Sequence, residues 1–205
     1  MILCDIGNTS YHFLEEENDY KHDVNTFEPS SLDVKIYYIS VNKEISQRLE
    51  SLENWIDIAN LVDKSKYYES MGIDRIFSCE AVVDGVVLDA GSAITVDVVK
   101  DKRFMGGFIY PGVRVMSETY KKISSALEYS FNFDLQLDIM PKNSQDAISY
   151  GFLKTLHSEV SSYDMSIILT GGDAPLLQKV FKDARVDNEL IFKGMKKIIK
   201  KAKLC

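Results

Sequence analysis

Two short segments of the sequence place an aspartate, a glycine and a hydroxyl or amide side chain between apolar runs. They are Asp5-Ile6-Gly7-Asn8-Thr9 and Asp89-Ala90-Gly91-Ser92. The glycine lets the backbone turn tightly and brings N–H groups close to a phosphate, and the hydroxyl can donate a further hydrogen bond. The aspartate can hold a cation or its waters. One such turn could be an ordinary hairpin turn, but two, each opening one half of the chain, indicate a polyphosphate site.

A third segment lies near the end of the chain, where the strand-like run Ser166 to Thr170 enters a helix through Gly171-Gly172-Asp173. Pro175 suits the first turn of that helix. Together with the two Asp-Gly turns, this pattern resembles the superfamily of actin, hexokinase and Hsp70. The resemblance implies that Gly171 and Gly172 lie against the adenosine of ATP, because a backbone without side chains lets a flat base approach.

The segment Gly72-Ile73-Asp74-Arg75 joins the two halves. A carboxylate beside a planar guanidinium suits an acidic substrate that also presents a hydroxyl group. Alone, the same residues would indicate a helix N-cap with a surface ion pair. Their position between the two Asp-Gly turns favours the substrate interpretation.

The elements that must position these residues follow from the hydrophobic pattern. Residues 1–16 predict a hairpin with its turn at Gly7 and Asn8, and the stretch after Gly85 repeats that strand-turn-strand pattern. The pattern also predicts strands over 33–41, 103–110 and 166–170, and helices over 42–52 with Asn42 as N-cap, 73–83, 113–130 and 145–162. The chain therefore divides into halves of residues 1–80 and 81–205.

Composition narrows the class of protein. The chain has 205 residues, 45% of them hydrophobic and 27% charged, as in ordinary globular proteins. A net charge of -7 argues against a nucleic-acid partner. Without a signal peptide or a long apolar run, we expect a cytoplasmic protein with no membrane partner. Cys4, Cys79 and Cys205 are expected to be reduced thiols, the first two buried in the core.

Six motifs together resemble the type III pantothenate kinases. In order along the chain they are DIGNTS, GIDR, DAGSAITVD, GGFIYPGV, NSQDAISYG and LTGGDA. They span Asp5 to Ala174, and GIDR and GGFIYPGV separate this family from the rest of the superfamily. The resemblance implies an α/β fold of two actin-like, ribonuclease H-like lobes, each a mixed sheet with flanking helices. Residues 1–80 would carry the first phosphate turn, and 81–205 the second turn and the adenosine-binding glycines.

The resemblance also implies a role for individual residues. Asp74 matches the catalytic base, and Asp89 matches the ligand of a monovalent cation, potassium or ammonium. The ATP-binding residues would be Asp5, Ile6, Gly7, Asn8, Thr9, Ser10, Tyr11, His12, Ser92, Gly171 and Gly172. The pantothenate-binding residues would be Gly72, Ile73, Asp74, Arg75 and Ser144, together with either Tyr67 or Tyr68. Ser92 and Ser144 stand where the family has threonine, so each keeps the hydroxyl and loses a methyl group.

The implied activity is ATP-dependent phosphorylation of pantothenate, with magnesium accompanying ATP and a homodimer as the expected assembly. The alternatives are another small-molecule kinase of the superfamily and a non-catalytic nucleotide-binding regulator. The basic C-terminal segment KGMKKIIKKAKLC predicts a solvated amphipathic helix, or alternatively a helix that lies on a membrane surface.

Overall fold

The structure, a computed structural model, describes residues 1–204, so the expectation for Cys205 lies outside the described residues. The chain forms two compact units. The first contains Met1–Val82 and the described residues from Glu189 onward, and the second contains Val83–Asn188. The predicted lobe boundary between residues 80 and 81 stays a prediction, but these units group the last helix with the first half of the chain.

The first unit is built on a five-stranded mixed sheet. Its strands are β1 (Ile2–Ile6), β2 (Ser10–Glu15), β3 (Asn18–Asp23), β4 (Ile36–Ser40) and β5 (Trp55–Asp57). They lie in the order β3-β2-β1-β4-β5, with β1 antiparallel to β2 and parallel to β4. The predicted N-terminal hairpin is confirmed. Strand β3 was not predicted, because its polar sequence NDYKHD lacks apolar alternation.

An aromatic core covers one face of this sheet. Ile6 and Tyr11 are fully buried there and belong to the same cluster as Trp55. The helix α1 (Lys43–Leu49) contributes its buried side chains to this core. As predicted, Asn42 caps α1, since its side chain accepts a hydrogen bond of 3.2 Å from the N–H of Ile45. The sequence of the first half thus folds around β1 and β2, the strands that flank the first Asp-Gly turn.

The second unit repeats this topology. Its strands are β6 (Gly85–Ala90), β7 (Ala93–Lys100), β8 (Arg103–Pro111), β9 (Ile167–Thr170) and β10 (Arg185–Val186). They lie in the order β10-β9-β6-β7-β8, with β6 antiparallel to β7 and parallel to β9. In each sheet the central strand therefore has a hairpin partner on one side and a parallel strand on the other. This is the predicted mixed sheet in both halves.

The helices of the second unit are α3 (Val113–Ile123), α4 (Ser144–Ser161) and α5 (Ala174–Gln178). Phe152 and Leu153 of α4 are buried with the apolar residues of β6 and β7. The helix predicted over 113–130 was too long. The chain leaves the helix at Ser124, whose backbone is extended, and the Ser124 hydroxyl accepts a hydrogen bond of 3.2 Å from the N–H of Ala126. That local bond competes with helix continuation.

The last helix, α6 (Leu190–Lys201), packs on α2 (Ile73–Glu80) in the first unit. Its buried face holds apolar residues such as Phe192, while its lysines are exposed. The Lys197 ammonium donates a hydrogen bond to the carbonyl of Glu80 at the end of α2. The packing of the apolar face matches the solvated-helix alternative rather than the membrane-surface one. Between residues 1 and 204, no helix combines the length and apolar character needed to cross a membrane.

Cysteine burial agrees with expectation. Cys4 on β1 and Cys79 on α2 are both buried. Burial raises the pKa of the Cys4 thiol well above its usual value, so this thiol stays protonated and unreactive at neutral pH.

The contact between α2 and α6 depends on Gly194. A Cβ atom at this position would overlap the carbonyl group of Phe77. We expect Gly194→Ala to lower the free energy of unfolding by about 1–3 kcal/mol, as overpacking of a core does. Urea denaturation followed by circular dichroism measures this change.

Gly151→Ala in α4 is the matched control. Nothing lies within 4 Å of a Cβ atom built there, and alanine favours a helix over glycine by about 1 kcal/mol. This variant should be as stable as the parent or more stable. Equal unfolding free energies for the two variants would contradict the close α2–α6 packing.

Candidate active site

The first Asp-Gly turn is closed by its own backbone. The N–H of Gly7 donates a 3.0 Å hydrogen bond to the carbonyl of Ser10, and the Thr9 carbonyl accepts one of 3.2 Å from Val24. The side chains of Asn8 and Thr9 at the tip are exposed. Main-chain bonds therefore hold the turn in shape, and the tip residues remain accessible to a ligand.

The predicted nucleotide-binding residues lie on both faces of the first sheet. Asp5 and His12 are register partners and share one face, whereas Ile6 and Tyr11 point into the aromatic core with no exposed surface. Ile6 and Tyr11 can therefore contact a nucleotide only through their backbone. His12 forms a 2.7 Å hydrogen bond with Asp19, and its ring lies 4.7 Å from that of Phe192. Burial lowers the pKa of His12, which favours its neutral form.

Asp74 lies in the first turn of α2, two residues after the N-cap residue Gly72. The carboxylate accepts a 2.8 Å hydrogen bond from the N–H of Arg75. It occupies the space where a Cβ atom of residue 72 would be, so only glycine at position 72 leaves this position to Asp74. Burial raises the pKa of Asp74 above its ordinary value, and the Arg75 hydrogen bond and charge partly oppose the shift. A carboxylate with a raised pKa is a stronger base.

Arg75 is a buried cation, with 5% of its surface exposed. Its guanidinium group donates a hydrogen bond to the hydroxyl of Tyr68 and lies 5.6 Å from the centre of the Tyr68 ring. The Tyr67 hydroxyl donates a 3.1 Å hydrogen bond to Glu80 at the far end of α2. The sequence left Tyr67 and Tyr68 as equal candidates. The geometry associates Tyr68 with the Gly-x-Asp-Arg segment.

The second Asp-Gly turn lies against the glycine pair. The N–H of Gly91 donates a 3.0 Å hydrogen bond to the carbonyl of Ala93, which closes the turn as in the first unit. Gly171 has a φ of +88°, and a Cβ there would overlap the Asp89 carboxylate and the backbone of Ala90. The N–H of Asp173 donates a 2.9 Å hydrogen bond to the Ala90 carbonyl. The second Asp-Gly turn and the glycine pair, which the sequence predicted to bind ATP, are thereby brought together.

A cavity of about 210 Å³ lies beside this turn. Its lining residues are Ala90, Gly91, Ser92, Arg114, Gly172 and Asp173. Two of the sequence-predicted ATP residues, Ser92 and Gly172, therefore face one cavity within the second unit. The sequence did not single out Arg114 or Asp173, although an arginine at a phosphate turn can form bidentate hydrogen bonds with phosphate oxygens.

Gly112 explains how Arg114 reaches this cavity. A Cβ at residue 112 would overlap the carbonyl groups of Gly91 and Ser92. Gly112 is the N-cap of α3, and Arg114 lies in its first turn. The helix thus begins directly on the phosphate turn. The motif GGFIYPGV, which ends at Val113, was the signal that could have identified the arginine that follows it.

The side chains around Asp89 can be compared with the donor groups that a monovalent cation requires. Asp89 is in register with Thr95 on β7 and with Thr170 on β9, and register partners point to the same face. Carboxylate and hydroxyl oxygens are the donors that hard cations prefer. These residues fit a monovalent cation. Within residues 1–204, no group of three or more His, Cys, Asp and Glu side chains could hold a metal ion.

Ser144 is the first residue of α4, and its side chain is exposed. Asn143 caps the helix by accepting a 2.9 Å hydrogen bond from the N–H of Asp146. The Asp146 carboxylate accepts hydrogen bonds of 2.9 Å from the Asn132 amide and 2.7 Å from the Asn143 amide, and these two bonds lower its pKa. The motif around Ser144 therefore fixes the start of α4. Ser144 is not among the residues that line the cavity beside Ser92.

Two type III pantothenate kinases are similar to this protein over almost the whole chain. A type III pantothenate kinase of Sulfurimonas denitrificans is 60% identical over 205 residues, covering 100% of both chains. A type III pantothenate kinase of Campylobacter jejuni is 38% identical over 202 residues, covering 98% of this chain and 97% of the relative.

Solved structures agree with this relationship. A Campylobacter jejuni protein given the provisional name of a conserved Baf family transcriptional activator has a TM-score of 0.90 at 36% identity, with 100% of both chains covered. MreB 5 of Spiroplasma citri, bound to AMPPNP, has a TM-score of 0.51 at 10% identity, covering 99% of this chain and 96% of that one. The second likeness concerns the fold alone. With the two mixed sheets, it confirms the predicted actin-like α/β class.

A family model decides the assignment. The model of the type III pantothenate kinases matches residues 46–163, which is more than half of the chain. Because this match agrees with the full-length similarity to named members, the chain belongs to the type III pantothenate kinase family.

Proposed function

We propose that this protein transfers the γ-phosphate of ATP to pantothenate and releases 4'-phosphopantothenate and ADP, the first step of coenzyme A biosynthesis. The observation that carries the proposal is the start of α2, where Asp74 has a raised pKa and precedes the buried Arg75. The names of the full-length relatives support pantothenate as the acceptor. The enzyme is expected to act in the cytoplasm.

The chemistry follows from the residues of each unit. Phosphoryl transfer relies mostly on positioning and on neutralising charge. Asp74 accepts the proton of the pantothenate hydroxyl, and Arg75, held by Tyr68, donates hydrogen bonds to the pantothenate carboxylate. In the first unit the turn at Gly7 to Thr9, and in the second unit the cavity with Ser92 and Arg114, would supply groups that bind ATP. Asp5 and Asp89 would hold magnesium and a monovalent cation, which neutralise phosphate charge when bound.

A non-catalytic regulator is the alternative from another class. The Campylobacter jejuni structure carries the name of a transcriptional activator, whereas the relative from the same species is named a pantothenate kinase. The catalytic reading is favoured here because Asp74 is both partly buried and next to a guanidinium, an arrangement that a nucleotide sensor would not need. The direct test is ADP release by the purified protein with and without pantothenate. Release that does not depend on pantothenate would reject the proposed activity.

The first prediction concerns Asp74→Asn. Loss of general-base assistance usually lowers a rate by about 10²–10⁴-fold, so kcat should fall by that factor while binding of a non-hydrolysable ATP analogue is retained. Asp5→Asn is the matched comparison, since it should weaken binding of the analogue itself. Calorimetric titration and a coupled ADP assay measure the two effects. Near-normal kcat in Asp74→Asn would remove this residue from the role of base.

The same variant also tests the raised pKa. An unfolded aspartate ionises near a pH of about 3.9, below the folded pKa of Asp74, so ionisation of Asp74 destabilises the fold as pH rises through this interval. Asp74→Asn should therefore be more stable than the parent at neutral pH. The difference should shrink in mildly acidic buffer. A variant that is less stable at every pH would contradict the assigned shift.

The second prediction separates the two tyrosines. Tyr68→Phe removes the hydroxyl that accepts a hydrogen bond from Arg75, so KM for pantothenate should rise about 5–10-fold, equivalent to the roughly 1 kcal/mol of one hydrogen bond. Tyr67→Phe is the control and should leave this KM unchanged, because its hydroxyl bonds Glu80. KM for ATP should not change in either variant. The opposite order of effects would assign the substrate contact to Tyr67.

We also propose a homodimer that uses the outer surface of the second unit. β8 is an edge strand of its sheet, and its Met105 and Ile109 are 61% and 62% exposed. No residue of α3 is buried, and Val115 and Ile123 are exposed as well. Exposed apolar side chains on an edge strand favour association. A second copy of the chain would cover them.

The third prediction is therefore a mass of about twice the 23.3 kDa of one chain in sedimentation equilibrium. Ile109→Asp should shift the protein toward monomer, because a charge would be buried in the interface. Val34→Asp serves as the control, since Val34 is an exposed apolar residue of the first unit. A parent protein that sediments as one chain would rule out the dimer.

A further inference from the structure

Thr95 on β7 has a hydroxyl group that the described structure leaves without a hydrogen bond. Its oxygen is buried, and among residues 1–204 only the hydroxyl of Tyr11 is in the same state. A buried hydroxyl without a partner destabilises the folded protein. The two cases differ, because Tyr11 is part of an aromatic core, whereas Thr95 lies beside a carboxylate.

The carboxylate is that of Asp89, and the register of the sheet places three oxygen-bearing side chains in one row. Asp89 on β6 pairs with Thr95 on one side and with Thr170 on the other. Directly paired residues of neighbouring strands have Cβ atoms about 4.5–5.5 Å apart. Thr170 is itself buried, with 6% exposed. The row therefore presents a carboxylate between two hydroxyl groups.

Gly171 positions this row from the side of β9. A Cβ at residue 171 would overlap an oxygen of the Asp89 carboxylate. The carboxylate thus lies close to the Gly171 backbone, at the end of the sheet that carries the phosphate turn.

Packing alone does not explain threonine at position 95. The apolar residues Ile94, Val96 and Val98 belong to the core of the second unit, and they alternate along β7 with Thr95 and the buried Asp97, which lie on the opposite face. Valine has nearly the shape of threonine and suits a strand at least as well. It would remove the unpartnered hydroxyl. The hydroxyl thus fits a partner that the protein chain itself does not provide.

We infer that Thr95 is a ligand of the monovalent cation proposed for Asp89, with Thr170 contributing a third oxygen to the same site. Potassium is bound in proteins by oxygen atoms that replace its hydration shell. The Asp89 carboxylate supplies one negative charge, and neutral hydroxyl oxygens complete the shell without adding charge. This inference rests on the cation of the proposed function, but it makes a claim about binding that does not require turnover.

The experiment measures thermal unfolding without nucleotide or substrate, in potassium chloride and in choline chloride of equal ionic strength. The parent protein should melt at a higher temperature in potassium, because a cation that binds only the folded state stabilises it. Thr95→Val should melt higher than the parent in choline, since the unpartnered hydroxyl is gone. The apparent Kd of Thr95→Val for potassium should be about 10–100-fold higher than that of the parent, as when groups around a metal are removed.

Two variants control for other effects of the change. Thr95→Ser keeps the hydroxyl and should keep the potassium response. Thr155→Val makes the same chemical change at a hydroxyl that already donates a 2.8 Å bond to the carbonyl of Gly151, and it should also respond like the parent.

Two results would overturn the inference. One is a full potassium response in Thr95→Val, which would mean that the hydroxyl binds only water. The other is a parent protein that does not respond to potassium at all. The proposed function is judged separately by pantothenate-dependent ADP release of the parent. If the parent releases ADP and Thr95→Val keeps the full potassium response, only the role of Thr95 as a ligand is rejected. If Thr95→Val loses the potassium response and the parent releases no ADP with pantothenate, only the proposed activity is rejected.

Discussion

One backbone hydrogen bond in each unit, the one that closes the turn after the central strand, is the constraint on which the candidate site depends. The bond from Gly7 to Ser10 and the bond from Gly91 to Ala93 are both 3.0 Å long. Each keeps the hairpin partner in register, so that the aspartate at the strand end has a fixed neighbour: His12 for Asp5 and Thr95 for Asp89.

Much of this arrangement can be predicted from the sequence, because turns and caps are local. Asn42 and the strand-turn-strand repeats behave as their residue types indicate. What could not be predicted depends on distant contacts or on competition between local bonds. Ser124 ends α3 through a side-chain bond that a periodicity argument does not weigh. β3 gains its place from pairing with β2 and has no pattern of its own.

The site shows the same division. The sequence identified Asp74 and Arg75 as neighbours, but it could not distinguish the adjacent Tyr67 and Tyr68. The fold shows that the Tyr68 hydroxyl accepts a hydrogen bond from Arg75 and that the Tyr67 hydroxyl donates one to Glu80. Arg114 was missed although it directly follows the GGFIYPGV motif, because only the contact of Gly112 with the phosphate turn shows that α3 begins beside the cavity. Ile6 and Tyr11 belong to the predicted ATP-binding segment, yet alternation along the strands turns their side chains into the core.

The position of α6 has a consequence for how the protein is made. The apolar face of α6 packs on α2, and residues of α6 also contact β1. Lys197 donates a hydrogen bond to the last residue of α2. Yet α6 follows every other described element in the chain. Synthesis proceeds from the N-terminus, and domains generally fold as units. The second unit, Val83–Asn188, is continuous in sequence and can form while the ribosome is still translating. The strands of the first unit emerge from the ribosome earliest. One face of their sheet nevertheless stays uncovered until α6 has been released. The first unit is therefore synthesised first but completed last.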